Sequence, residues 1–280
     1  MPAPDVPERP EPAATLPGAA HKRAPGVSLA AQTRVIVVAS GKGGVGKSSL
    51  AANLAASFTT LGRRTGVLDA DLYGFSIPRM LGVNEHPIVL GDLAVPPVRN
   101  GLKVMSVGFF LGAGDLVLWR GPMLHRALQQ FLSDVDWGDL DLLVVDMPPG
   151  TGDVALTLGQ LLPGSEVLVV TTPQRVAQEV AVRAAEMAEK GNMTPIGVVE
   201  NMSYLEREDG VREELFGSGG GERLAEQAAI PLLARIPFDP RLAACADAGE
   251  PVVWAEPELP VSRAIVALAE ALLARPAVPA

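Results

Sequence analysis

The sequence predicts an α/β protein with a doubly wound, mostly parallel sheet and helices on both faces. Three observations carry this: short, nearly continuous apolar runs, stretches of helical length between them, and a glycine-rich loop directly after the first run. Runs of five or six Val, Leu and Ile residues without alternation are what strands buried on both faces require. Strands joined through helices of three or four turns give right-handed crossovers, hence a parallel sheet.

Val35–Ala39 reads as the first strand and Ser48–Leu61 as the helix after it. Thr65–Ala70 is the second strand. Residues 86–107 are less regular and suit an extra strand pair with Lys103–Val107 as one member. Pro122–Val135 is amphipathic and helical, Leu142–Asp146 a buried strand, and Glu166–Thr171 another. Arg175–Lys190 is the longest helical stretch, Pro195–Glu200 the last clear strand, and Pro260–Arg275 an Ala-rich helix suited to the outside of the sheet. The only cations in that final pattern are Arg263 and Arg275, which favours a packed helix over a membrane-surface anchor. Residues 1–33 are expected to be a flexible Pro/Ala-rich arm, since residues 1–25 hold seven prolines among scattered charges; such a composition does not repay the entropy of ordering. Residues 34–275 then form one domain and 276–280 a tail.

Composition excludes several classes. The chain has 280 residues, 48% hydrophobic and 20% charged, enough apolar material for a core. Its net charge is -9 and only five of its basic residues are Lys. Binding a nucleic-acid backbone needs many cations, so no nucleic-acid partner is expected. No apolar run approaches the ~20 residues of a membrane span, so no membrane partner and a cytoplasmic location are expected. Cys245 is the single cysteine, which excludes an intrachain disulfide and a thiolate zinc module.

The loop after the first strand is Gly41-Lys42-Gly43-Gly44-Val45-Gly46-Lys47-Ser48-Ser49, which satisfies G-x-x-x-x-G-K-[ST]. Glycines let backbone N–H groups converge on phosphate oxygens, and the helix opening at Lys47 adds its positive dipole end. Lys47 supplies a phosphate cation and Ser48 a Mg2+ ligand for ATP. The same glycines spell G-x-G-x-x-G, with Asp69 where a dinucleotide fold keeps its ribose-binding acid; the Lys-Ser pair is wasted on NAD and favours ATP. Asp146 ends a buried strand where an acid can reach Mg2+. Asp71 shares a face of the extended chain with Asp69 and suits activation of water.

With Lys42 inside it, the loop resembles the deviant Walker A motif of the MinD, ParA and nitrogenase iron protein superfamily, the SIMIBI-type P-loop NTPases. Asp69–Gly74, Trp119–Met123, Asp146–Asp153, Glu200–Ser203 and Phe216–Gly221 resemble the Mrp/ApbC iron–sulfur cluster carrier ATPases. The resemblance implies slow, Mg-dependent ATP hydrolysis in a homodimer, with Lys42 reaching the partner's nucleotide, Asp71 and Asp146 in switch regions and Asn201 facing the adenine. It also implies a role in iron–sulfur cluster assembly, binding a [4Fe–4S] cluster and transferring it to client proteins. The family's Cys-x-x-Cys beyond Asn-Met-Ser is replaced here by Tyr204-Leu205-Glu206-Arg207-Glu208-Asp209-Gly210, so the cluster ligands are missing. The alternatives are a ParA-like or MinD-like positioning ATPase and a metal-free, ATP-dependent client scaffold. The charges over 206–214 read most simply as a solvated hairpin or loop, Cys245 as a buried helix residue, and His125 as a solvated helix residue.

Overall fold

The computed structural model describes residues 29–278 apart from 31, 72–73, 111–120, 151 and 208. The elements run β1 (Arg34–Ser40), α1 (Lys47–Thr60), β2 (Thr65–Asp69), α2 (Ile77–Met80), β3 (Ile88–Leu90), β4 (Leu93–Val95), β5 (Val98–Arg99) and β6 (Leu102–Ser106). A 3-10 turn over Val107–Phe110 follows, then α3 (Gly121–Ser133), β7 (Leu142–Asp146), α4 (Gly152–Leu161), β8 (Glu166–Thr171), α5 (Arg175–Lys190), β9 (Thr194–Glu200), β10 (Leu205–Glu206) and β11 (Arg212–Glu213). The chain ends with α6 (Gly220–Gln227), β12 (Leu232–Arg235), α7 (Pro240–Ala248), α8 (Val252–Ala255) and α9 (Pro260–Ala274).

Eight strands form one sheet in the order β12-β9-β8-β1-β7-β2-β6-β5. Every pairing is parallel except β5 with β6. The chain winds from β1 through α1 towards β2 on one side and from β7 through α4 to β8 on the other, so the order reverses around β1. Ligands of open α/β sheets bind at the carboxyl ends of strands beside such a reversal. The loops after β1, β2 and β7 therefore form the expected mouth.

The expected strands and helices appear with ends moved by a residue or two, as fraying and the definition of termini allow. The pair anticipated in 86–107 is β5–β6, and β6 also joins the main sheet beside β2. A second hairpin, β3–β4, stands outside it. The central strands β2, β7 and β8 are buried at every position, which is why their sequences lack alternation. Helix α9 lies on α1 with Val261, Ile265, Leu268, Ala269 and Leu272 buried. Among the described residues no helix is long and apolar enough to cross a membrane.

At the amino end of the sheet, Arg34 forks onto Glu166 (Nη2–Oε2 2.7 Å) and donates through Nη1 to the carbonyls of Leu272 (2.5 Å) and Arg275 (3.2 Å). It thereby satisfies carbonyls that the end of α9 leaves open. Val278 donates its amide to the same Glu166 at 3.0 Å. Within the segment expected as the arm, Leu29 packs against the core and the Thr33 hydroxyl donates to the Leu140 carbonyl at 3.0 Å. The rest of that arm before residue 29, Leu72-Tyr73 and Trp119-Arg120 lie outside the described residues.

Candidate nucleotide site

The glycine loop turns from β1 into α1 through Gly44 and Gly46, both left-handed, at φ +80° and +79°. Gly46 has a second constraint: a Cβ there would come within 2.3 Å of Asn201 Nδ2. That amide donates to the Val45 carbonyl at 2.9 Å, pinning the crest of the loop from behind. Directly after Asn201, Met202 holds φ +53°, an unusual backbone state for a side chain of its size. The loop is also braced against the segment after β7: Gly150 N donates to the Ser40 carbonyl (3.2 Å) and Met147 N to that of Val38 (3.2 Å).

A cleft of about 220 Å3 opens above the loop, lined by Lys42, Gly43, Gly44, Gly46, Lys47, Ser48, Ser49 and Pro149, and by Asp71, Ser76 and Met80 from the segment after β2. The structure thus gathers Lys42, Lys47, Ser48 and Asp71 around one opening. Lys47 is almost fully buried and its Nζ lies 2.5 Å from Asp146 Oδ1 and 3.2 Å from Ser48 Oγ. Asp146 is completely buried, and its Oδ2 accepts no hydrogen bond from the described residues. Burial pushes the Asp146 carboxyl above its ordinary value, while the Lys47 ammonium and the Ser48 hydroxyl hold it back.

Asp71 is buried at the cleft wall, and its Oδ1 accepts from the Gly74 amide at 3.1 Å. Asp69, not Asp71, takes the first amides of α2. Its Oδ2 accepts from Ser76 N (3.0 Å) and Ile77 N (3.1 Å), which removes the geometry a ribose-binding acid would need. Asp69 is fully buried and its pKa is pushed up to about 7, by desolvation first and the neighbouring Asp146 second, against the pull of its three backbone donors. Lys42 lies at the rim with Nζ 3.1 Å from Gln174 Oε1.

Glu200 ends an expected strand and opens the Glu200–Ser203 motif, but the sequence assigns it no role. Its buried carboxylate accepts from Gly221 N at 2.5 Å, at the start of α6, and from the Ser203 hydroxyl, so it locks the turn that carries Asn201. The rule that singled out Asp146, an acid closing a buried strand, applies equally to Glu200 at the end of β9. Beyond it, β10 and β11 form the expected hairpin, tied by Arg207–Glu213 (2.5 Å) and Arg212–Glu206 (3.5 Å), with the Arg212 guanidinium 4.3 Å above the Tyr204 ring. Cys245 is half-buried on α7 rather than fully buried, because that helix has no buried residue. Among the described residues no group of three or more His, Cys, Asp or Glu side chains could hold a metal ion.

A left-handed glycine loop at the order reversal of a parallel sheet, opening a helix and followed by a buried Lys–Asp pair, defines a P-loop nucleoside triphosphatase fold. The model of the ParA family, described as the NUBPL iron-transfer P-loop NTPase, matches residues 31–273, and the chain belongs to that family. The "Iron-sulfur cluster carrier protein" of Mycobacterium leprae is 51% identical over 249 residues, covering 87% of this chain and 65% of that protein. The relative of the same name in Deinococcus radiodurans is 46% identical over 258 residues, covering 91% and 73%. This chain therefore spans about two thirds of the length of such relatives. Among solved structures, a nucleotide-binding protein from Archaeoglobus fulgidus in complex with ADP superposes with a TM-score of 0.67 at 38% identity, over 77% of this chain and 86% of that one. The septum site-determining protein MinD of Pyrococcus horikoshii, complexed with Mg-ADP, gives 0.64 at 24% identity over 86% and 96%, a likeness of fold.

Proposed function

We propose that the chain is an Mg-dependent ATPase of iron–sulfur cluster assembly that works as a homodimer. The observation that carries the ATPase reading is the buried Lys47–Asp146 pair beneath a glycine cradle, with one Asp146 oxygen left without a donor. An orphaned carboxylate oxygen with the Ser48 hydroxyl beside it is the oxygen donor set that Mg2+ takes, Ser48 directly and Asp146 through water. Bound there, Mg2+ would neutralise charge developing on the transferring phosphoryl group. The loop amides from Gly41 to Ser49 cradle the phosphates, and Lys47 exchanges its Asp146 partner for them. Asp71 orients the attacking water from the opposite wall. Asn201 supports the loop through the Val45 carbonyl and, in this reading, faces the adenine of the bound nucleotide.

The assembly role rests on the relatives' names and on the description of the matching family as an iron-transfer NTPase. A cluster as cargo does not fit this chain's own donors. A [4Fe–4S] cluster takes four thiolates, and a symmetric dimer offers Cys245 twice. That thiol is held above its ordinary pKa by burial and by Glu256 and Glu250, so little of it is thiolate. This favours a chain that drives assembly by nucleotide-dependent contact with client or partner proteins whose thiolates hold the cluster. Calorimetry with Mg-ATP tests the core of the proposal: the wild type binds and releases phosphate, and Lys47→Ala loses most of both. A wild type that binds NAD and not ATP would refute it.

A further inference from the structure

The loop that presents Asp71 has no strand or long helix to hold it, yet Asp71, Ser76 and Met80 all line the cleft. What fixes it is one buried carboxylate. Asp69 Oδ1 accepts from Asp71 N at 3.2 Å, and Oδ2 accepts from Ser76 N (3.0 Å), Ile77 N (3.1 Å) and Ser106 Oγ (3.2 Å). Ser106, also fully buried, accepts in turn from Gly108 N at 3.1 Å. The Phe75 ring lies over Gly108 so closely that a Cβ there would fall 2.3 Å from it. Asp71 at one end, and Ser76 and Ile77 at the other, are thus tied to one side chain, and Phe75 is seated on the turn after β6.

We propose that Asp69, with Ser106 as its relay, is a positioning residue for hydrolysis: it sets the place of Asp71 in the cleft while touching neither nucleotide nor water itself. The inference rests on the ATPase reading of the cleft. In its ionised form Asp69 only accepts, which suits the task, since here it meets four donors from three directions. An amide in its place turns one acceptor into a donor facing N–H groups, and leaves buried amides unpaired. Such a loss falls on the geometry of the reaction step more than on the phosphate cradle, which belongs to other elements.

The test uses the full chain and the variants Asp69→Asn, Ser106→Ala and Ser106→Thr, with ATP affinity from calorimetry and turnover from phosphate release. Asp69→Asn should lower kcat about tenfold or more while the Kd for Mg-ATP stays within about threefold. Ser106→Ala should lower kcat about threefold, and Ser106→Thr, which keeps the hydroxyl, should restore it. Hydrogen exchange over residues 74–82 supplies a readout independent of turnover: a slowly hydrolysed ATP analogue slows it in the wild type and fails to do so in Asp69→Asn. An Asp69→Asn protein with unchanged kcat, or with affinity lost in proportion to turnover, overturns the proposal; if that variant does not fold, equal kcat in Ser106→Ala and Ser106→Thr overturns it. A wild type that binds ATP, shows the exchange effect and releases no phosphate would refute the ATPase reading and leave the positioning of the segment standing.

Discussion

At the scale of single residues, the site is organised by buried acids that close strands: Asp69 on β2, Asp146 on β7 and Glu200 on β9. Each is fixed by a different partner set, and each therefore has a different task. For Asp69 the consequence is measurable in stability. Its folded-state pKa of about 7 lies above its ordinary value of 3.8, so folding takes up a proton between the two. The resulting contribution to stability is complete below about pH 4 and is lost as the pH rises through about 7, on the order of 4 kcal/mol in all. Denaturant unfolding from pH 4 to pH 8 should show this decline, and Asp69→Asn should flatten it; an unchanged slope in the variant would assign the decline to other groups. The glycine loop was legible because its residues are dictated by backbone geometry. Asp69's true partners were not, since Ser76, Ile77 and Ser106 meet it only through the fold. Asn201 was singled out through resemblance to a family, and no spacing rule would have placed its amide on the Val45 carbonyl 156 residues away.

At the scale of elements, buried parallel strands announced themselves by lacking alternation, and the long strands from β1 to β9 with helices α1, α3 and α5 followed from that pattern, whereas α4 was not among the expected helices. Nor did the short pieces follow from it. Strand β12 is half-buried and only four residues long, and β3–β4 carries Ile88, Val89 and Leu90 outward, so neither gives a periodic signal. The β10–β11 hairpin was expected from its charges, and the structure shows what they do: two cross-strand ion pairs and a cation–π contact hold a ribbon too short to hold itself. Glu206 and Arg207 of these pairs fall in the stretch, 204–210, where the resemblance implies two cysteines. Hard carboxylates serve an iron–sulfur cluster poorly. Anaerobic reconstitution with iron and sulfide should therefore leave the isolated chain without stoichiometric cluster. A visible absorption band with matching iron and sulfide, unaffected by Cys245→Ser, would show that other ligands suffice.

At the scale of the whole molecule, the cleft opens on one end of the sheet, where Lys42 stands at the rim, 3.1 Å from Gln174 and free of any carboxylate partner among the hydrogen bonds described. A lysine that acts on a partner subunit's nucleotide matters only when the partner is present. Light scattering should show a slowly hydrolysed ATP analogue driving the wild type to a dimer, and Lys42→Ala should blunt this while ATP affinity changes about twofold at most; a monomer under every nucleotide condition would remove the dimer from the proposed function. The opposite end of the sheet has its own architecture, because Arg34, Glu166, the end of α9 and Val278 converge there. The domain's first strand and Val278 are tied to the same carboxylate, with the full length of the sheet between them and the glycine loop. Both ends of the described domain therefore meet at the pole of the sheet opposite the mouth. Arg34 and Val278 could accordingly be joined by a short linker and the domain reopened elsewhere, a circular permutation that would carry the glycine loop and its supporting acids along unchanged.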